Sequence, residues 1–172
     1  MRAHCLLLGL TLAGAHMLAA QTKLSGEGTC DAKPEEAHAI PVGDRPNHTF
    51  AISRVKCTWT KPIEIEGIQA KGGTAVQFDE MTGDASRFHG YYLDTMANGG
   101  SATYTYQGTS RSRDGKPQGA EWTWALTGSS GKLKGIKGQG SCKGVWSKEG
   151  VYSFKCSGDY TRAKSAPAAG YW

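Results

Sequence analysis

Metal chemistry has few candidate residues in this chain. After residue 20 the histidines are His38, His48 and His89, and no two of them have the HxH or HExxH spacing of a metal site. In the folded chain they could meet Asp44 or Glu80, and metal sites do combine such carboxylates with histidine. Because no ligand spacing is present, we predict surface or partly buried histidines and no metal ion.

Nucleophilic and acid–base chemistry also lack clear motifs. The segment Gly-Ser-Ser-Gly at 128–131 does not have the GxSxG spacing of a serine nucleophile and is typical of a turn. No GxxxxGK[ST] phosphate loop occurs in the sequence. The pairs Glu64/Glu66 and Asp79/Glu80 could serve as acid and base, but alternation places the first pair on the polar side of a strand. The catalytic residues therefore stay unassigned, and we predict no cofactor.

Aromatic side chains are the better candidates for a binding site, because they concentrate on consecutive central segments. If one stripe of them faces a cavity, it forms an apolar pocket with a few polar groups to orient a ligand. The alternative is that the same rings fill a solid core, since a chain of this size needs them for stability. The candidate ligand-binding residues are His89, Tyr91, Tyr104, Tyr106, Glu121, Trp122 and Trp124.

Short β-strands must carry these side chains. Apolar and polar residues alternate over about eight segments, as at Trp122, Trp124 and Leu126, and turn signals such as 98–100 separate them. Helical periodicity of any length is missing. The pattern predicts an all-β fold, a single small antiparallel β-barrel of about eight strands, with a β-sandwich as the alternative. An eight-stranded barrel is either filled by side chains or holds one small ligand.

Three local features add to this prediction. The apolar alternation shifts between Ile52 and Val55, which predicts a β-bulge there. Residues 32–48 contain three prolines and predict a loop. Leu133 and Ile136 are the large apolar residues of a glycine-rich turn and strand, and we expect them to plug one end of the barrel.

The amino terminus has the pattern of a secretory signal peptide. Arg2 precedes an apolar run at 5–15, which is too short for a transmembrane helix of roughly 20 residues, and Ala20 offers a small residue before a cut. We therefore predict a signal peptide at 1–20. The protein is expected to be exported to the periplasm or the exterior, with no membrane span after the signal is removed.

The rest of the chain is long enough for one domain with a real core. We assign the barrel domain to 21–162 and a flexible carboxy-terminal tail to 163–172, where small residues and a proline predominate. Loss of Arg2 lowers the formal net charge from +5 to +4, and the remaining basic residues are scattered. This distribution does not predict a nucleic-acid partner.

The cysteines predict two disulfides. Cys5 leaves with the signal peptide, and the remaining four are an even number in an exported chain. We favour Cys30–Cys57 and Cys142–Cys156, because the second pair brackets an apparent hairpin in which the two cysteines face each other. A bridge from Cys30 to Cys156 is the alternative if the barrel closes between the first and last strands.

A glycine-punctuated turn and strand carries a resemblance to a known superfamily. The stretch 127–144 follows a tryptophan-bearing strand and resembles small exported bacterial barrels related to the allene-oxide-cyclase-like and dirigent-like proteins. The match covers about 20 residues, and it implies the barrel fold but no activity. No segment matches the catalytic residues of the plant cyclases. The matching residues are Gly128, Ser130, Gly131, Lys132, Leu133, Gly135, Ile136, Gly138 and Gly140.

Three functions follow as hypotheses, of which the weakest is a module that binds a partner through an exposed edge or aromatic patch. The first is a non-enzymatic binding or structural protein of the envelope or exterior, with a small apolar molecule in the barrel as its candidate ligand. The second is a cyclase-like or isomerase-like enzyme that confines its substrate and needs little covalent chemistry. A ligand-sized cavity would separate both from a solid structural barrel, and a buried carboxylate or histidine with a displaced pKa beside it would favour the enzyme.

Overall fold

The structure, a computed structural model, describes residues 21–114, 116–147 and 151–162. The predicted signal peptide and carboxy-terminal tail lie outside these residues. A single 3-10 turn, Gly131–Leu133, accompanies the strands of the described chain. The strands are β1 (Thr22–Cys30), β2 (Glu36–Pro41), β3 (His48–Lys61), β4 (Glu64–Ile65), β5 (Ile68–Thr82), β6 (Ala85–Met96), β7 (Ser101–Arg113), β8 (Lys116–Ser129), β9 (Ile136–Trp146) and β10 (Tyr152–Arg162).

Eight of these strands close into an antiparallel barrel. Their order is β1–β10–β9–β8–β7–β6–β5–β3, and β3 pairs again with β1. Each long strand alternates inward and outward side chains, which is why one set of alternate positions forms the core. The two remaining strands are additions, β2 beside β3 and β4 beside β5. The predictions of an all-β fold and of a barrel are confirmed, and the sandwich alternative is wrong.

Strand β2 lies within the segment predicted to be a loop. Residues Glu36–Pro41 pair with β3, from Glu36 opposite Arg54 to Pro41 opposite Thr49. All six residues are exposed, so the segment has no apolar alternation that could have revealed it. Pro41 is tolerated because it ends an edge strand, where a missing N–H need not break a ladder.

The β-bulge predicted in β3 is absent from the described pairing of that strand. Strand β3 pairs with β5 without a register shift from His48 opposite Thr82 to Thr58 opposite Gly72. Phe50 and Ile52 therefore point outward and are exposed. The apolar alternation shifts because the large apolar side chains at the start of β3 lie on the outer wall of the barrel. Further along the strand, the large apolar side chains lie on the inner face.

Apolar side chains close one end of the barrel. Leu133 is 0% exposed at the end of the 3-10 turn, and Ile136 is buried beside it. They pack in one cluster with Ile63, Ile65 and Met96. Ser129 Oγ donates a hydrogen bond of 2.6 Å to the Leu133 carbonyl and holds the turn in place. The predicted plug is confirmed.

Both predicted disulfides are present and join directly opposed residues. Cys30–Cys57 links β1 to β3, and Cys142–Cys156 links β9 to β10. Antiparallel neighbours bring opposed side chains within disulfide reach, with Cα–Cα separations of 3.9 and 4.1 Å. The alternative bridge from Cys30 to Cys156 is wrong.

Trp124 lies flat against the glycines of the neighbouring wall. A Cβ built on Gly140 or on Gly158 would lie 2.5 Å from Trp124 Cζ2, closer than any carbon contact allows. These glycines therefore provide the space for the indole ring. The large ring of β8 fills this side of the interior and also lines the free volume that remains in the barrel.

Candidate ligand-binding cavity

A cavity of about 430 Å³ lies inside the barrel. Its rim is formed by residues near the strand ends opposite the apolar plug, including Pro34, Asp84, Ser112 and Pro117. Because the plug closes the other end, the cavity has its mouth at this rim. Ligand sites typically occupy 300–1,000 Å³, so the space suits one small molecule.

Aromatic rings form most of the wall. Trp122 is central to the set, with ring centroids 6.3 Å from Phe88, 6.2 Å from Phe154 and 6.5 Å from Tyr152. Such edge-to-face, tilted and stacked contacts hold each ring in one orientation and present apolar faces to the cavity. The aromatic residues that line it are Trp59, Phe88, Tyr92, Tyr104, Tyr106, Trp122, Trp124, Trp146, Tyr152 and Phe154.

The predicted ligand-binding residues divide between the two faces of the wall. Four of them line the cavity together: Tyr104, Tyr106, Trp122 and Trp124. The other three occupy alternate positions and point outward. His89 stacks on Phe78 at 5.4 Å, Glu121 forms a 2.9 Å ion pair with Lys143, and Tyr91 is 58% exposed.

A hydrogen-bonded chain of polar side chains runs along one side of the cavity. Tyr106 donates to Gln77 Oε1 at 3.2 Å, and Gln77 Nε2 donates to both oxygens of Asp79 at 3.0 Å. Ser86 Oγ also donates to Asp79, at 3.2 Å. Burial raises the pKa of the Asp79 carboxyl, while the bonds from Gln77 and Ser86 and the nearby His89 act to lower it.

A second polar group lies deeper, beside the rings of Trp59 and Tyr104. Asp94 is 0% exposed, and its Oδ2 accepts a 2.9 Å hydrogen bond from Trp59 Nε1. Burial raises the pKa of Asp94 to about 6, although the Trp59 bond and the backbone amides of Gly72 and Thr95 oppose the rise. Burial, together with the charge of Asp94, also raises the pKa of Tyr104 above its usual value.

Several buried polar atoms around Asp94 lack a hydrogen-bond partner of normal geometry within the described ranges. They are Asp94 Oδ1, the hydroxyls of Tyr92 and Tyr104, and Trp124 Nε1. Tyr92, Tyr104 and Trp124 also line the cavity. Buried polar groups in native proteins nearly always have a partner. This cluster can therefore offer hydrogen bonds to a molecule that enters the cavity.

The polar groups of the cavity were missed by reasoning from the sequence. Asp94 alternates with Phe88, Gly90 and Tyr92, so it was on the face that the aromatic rings share. An acid at an apolar position of a strand is the signal that could have found it. Asp79 was considered only as half of a carboxylate pair, although its partner Glu80 points to the outside.

The histidines do not gather at the cavity. His48 is buried between two carboxylates, with Nδ1 2.5 Å from Asp44 Oδ1 and Nε2 3.1 Å from Glu80 Oε1. His38 lies beside Glu36 at 3.5 Å on β2. The hydrogen bond from His48 lowers the pKa of Asp44. Within the described chain, no group of three or more histidine, cysteine or acidic side chains is arranged to hold a metal ion.

Fold and cavity together define a closed antiparallel barrel with an internal, aromatic-lined site. No protein-family model and no curated protein matches this chain. Across residues 21–114, 116–147 and 151–162, the structure contains no helix that is long and apolar enough to cross a bilayer.

Proposed function

We propose that this protein binds a small, largely apolar molecule inside its barrel without transforming it. The observation that carries the proposal is the cavity of about 430 Å³, lined by aromatic rings and open at one end. A structural barrel of the same size would gain more stability from a filled interior, because each void removes packing contacts. A cavity with oriented rings and few polar groups is the usual form of a small-molecule site.

Affinity in such a site would come mainly from the burial of apolar surface, at roughly 25 cal/mol per Å². The chain Tyr106–Gln77–Asp79 and the hydroxyl of Tyr104 would orient the ligand by hydrogen bonding. The rings are held by mutual contacts and two disulfides flank them, so little ordering is needed on binding.

We also propose that the protein is exported to the periplasm or the exterior. Disulfides persist in oxidising compartments such as the periplasm and the cell exterior, and both predicted bridges are formed. A secreted or periplasmic carrier would collect its ligand there. The resemblance to exported barrels of the allene-oxide-cyclase-like type supports this reading, although it carries no activity over.

Native mass spectrometry tests the proposal on protein expressed through an oxidising export route. We expect a retained mass in the small-molecule range, or binding of the neutral fluorescent probe N-phenyl-1-naphthylamine. Ser110→Phe, which fills the inside of the cavity, should abolish both signals, and Ser141→Phe, on the exposed outer face of β9, should leave them unchanged. Equal binding by the two variants would contradict the proposal.

A second candidate function is a cyclase-like or isomerase-like enzyme that confines its substrate. Asp94 favours it, because it lies beside Trp59 and Tyr104, which line the cavity, and burial raises its pKa to about 6, which suits a group that exchanges protons near neutral pH. Isomerisation conserves mass, so the test is chromatography of the retained ligand before and after incubation. Conversion of the ligand by the native protein, and loss of that conversion in Asp94→Asn, would support an enzyme. A ligand that stays unchanged would support the binding protein.

A further inference from the structure

We propose that the ligand of this cavity is an organic cation, an amine carried on an apolar body about the size of an aromatic ring system. The inference rests on the proposed function, because it names the chemistry of the molecule that the barrel interior binds. It comes from the sign of the charges at the cavity, from the partners of one carboxylate and from the rings around that carboxylate.

The charged side chains at the cavity all have the same sign. Those among its described lining residues are Asp31, Asp79 and Asp84, and no lysine, arginine or histidine of the described chain lines it. This is opposite to the protein as a whole, whose formal net charge is +5. A low-dielectric cavity focuses the field of such groups, so cations are attracted to its mouth and anions are repelled.

Asp79 is the acid best placed to hold a cation. Its carboxylate accepts hydrogen bonds from Gln77 and Ser86, which are both neutral, and it forms no ion pair with any residue that the structure describes. A partly buried carboxylate without an ion-pair partner is unfavourable, and burial raises its pKa although the nearby His89 acts to lower it. An ammonium group in the cavity would supply the missing ion-pair partner.

Aromatic rings line the cavity together with this carboxylate. Phe88 is directly opposite Asp79 in the pairing of β5 with β6, and both line the cavity. The Phe88 ring lies 6.2 Å from Tyr106 and 6.3 Å from Trp122. The faces of such rings attract cations, and aromatic cages are a known means of recognising ammonium ligands.

The polar groups near the inner end of the cavity also favour a cationic ligand. Asp94 lies next to Tyr104 and acts on it electrostatically, so the inner end of the cavity also carries negative potential. Tyr104 is 5% exposed, its hydroxyl has no partner among the described residues, and it can accept a hydrogen bond from an N–H of the ligand. A fatty acid or another anion would meet negative charge both at the mouth and at the inner end of the cavity.

Isothermal titration calorimetry with three ligands of one shape and different charge tests the inference. Tryptamine is a cation near neutral pH, tryptophol is its neutral hydroxyl analogue, and indole-3-propionate is an anion. We expect tryptamine to bind at least about tenfold more tightly than tryptophol, and indole-3-propionate to bind most weakly. This comparison uses the native protein, so it stands even if a variant fails to fold.

The variant Asp79→Asn tests whether the preference for the cation depends on this carboxylate. It should remove most of the preference for tryptamine while changing tryptophol affinity by less than about threefold, because the neutral ligand does not use the charge. Asp159→Asn is the matched control, since Asp159 is on the outer wall and pairs with Lys23. It should bind all three ligands as the native protein does.

The outcomes separate this inference from the proposed function. Equal affinity for tryptamine and tryptophol, with binding of both ligands lost in Ser110→Phe, would overturn the inference of a cationic ligand. It would still support the proposal that the cavity binds a small molecule. Tighter binding of indole-3-propionate would also overturn the inference of a cationic ligand. Failure of all three ligands, together with no retained mass and no probe binding, would contradict the proposed function itself.

Discussion

At the scale of single residues, Asp94 is the side chain least expected from its surroundings. It is a fully buried acid whose hydrogen bond of normal side-chain geometry comes from Trp59 Nε1. Its second oxygen has no partner of normal hydrogen-bond geometry among the described residues, although the backbone amides of Gly72 and Thr95 lie near the carboxyl and lower its pKa. Burial destabilises the charged form of this carboxyl in the folded state. The stability of the protein must therefore depend on pH where the carboxyl titrates.

We predict that Asp94 makes the native protein less stable as the pH rises from about 4 to about 6. The folded pKa is about 6 and the ordinary value is 3.8, so the folded state holds the proton over this interval and the unfolded state does not. Stability contributed by the neutral form is complete below the unfolded pKa and is lost as the pH approaches the folded pKa. The loss should be about 3 kcal/mol in the free energy of unfolding.

Urea unfolding of the native protein and of Asp94→Asn across this pH range measures the contribution. Asparagine keeps an acceptor for Trp59 and removes the titration. The native curve should fall relative to the variant curve, and Asp79, whose pKa is also raised, affects both proteins alike. Parallel curves would show that Asp94 does not titrate in this range.

A second residue-scale prediction concerns the donor to this acid. Trp59→Phe removes the indole N–H and leaves the buried carboxyl without its bond, which should cost about 1–3 kcal/mol of unfolding free energy. Trp146→Phe is the control, because Trp146 is 38% exposed at the rim. Chemical unfolding near neutral pH compares the two. An equal cost would mean that lost apolar contact, and not the hydrogen bond, explains the effect.

At the scale of strands, the approach of β8 to β9 and β10 depends on two glycines. The Trp124 ring occupies the space where side chains at Gly140 and Gly158 would lie. Two glycines of this region therefore make room for a tryptophan.

Gly140→Ala should therefore destabilise the barrel. The new Cβ would lie 2.1 Å from the Ser157 carbonyl oxygen and 2.5 Å from Trp124, so the backbone itself would have to move. We expect a loss of about 1–3 kcal/mol, as in other overpacked interiors. In Gly128→Ala the nearest atom is 3.4 Å away, and the change should stay within about 0.5 kcal/mol. Thermal unfolding of both variants decides the matter, and equal midpoints would contradict the packing argument.

At the scale of the whole molecule, the barrel closes at a short seam. Strand β1 pairs with β3 only over residues 27–30, whereas β9 pairs with β10 along its full length, Ile136–Trp146. Cys30–Cys57 lies at the end of the short seam. The disulfide therefore reinforces the shortest strand pairing of the eight-stranded barrel wall.

Removing the two disulfides separately should show this difference. Each double change, Cys30→Ala with Cys57→Ala or Cys142→Ala with Cys156→Ala, should cost about 2–5 kcal/mol. Loss of the first should also increase hydrogen exchange along β1 and β3, because the seam opens locally. Loss of the second should leave β9 and β10 protected by their long ladder. The reverse pattern of exchange would contradict the seam argument.

Much of the fold was predictable because it depends on local chemistry. Alternation and turn residues predicted the strands and the barrel, and facing positions in a hairpin predicted Cys142–Cys156. The edge strand Glu36–Pro41 escaped prediction because none of its residues is buried. For the candidate site, Tyr104, Tyr106, Trp122 and Trp124 were proposed from their clustering, and the structure places all four at the cavity.

The direction in which each strand faces is a property of the closed barrel. Alternation separates Tyr92 and Asp94 from His89 and Tyr91, but both sets contain aromatic rings, and no local rule says which set points inward. Closure decides it, since one face of every strand must meet at the axis. Residue types, strand positions and cysteine pairs were therefore available from the chain. The cavity, the acid Asp79 that lines it, the negative charge of its lining and the buried Asp94 beside it appeared only when distant strands packed together.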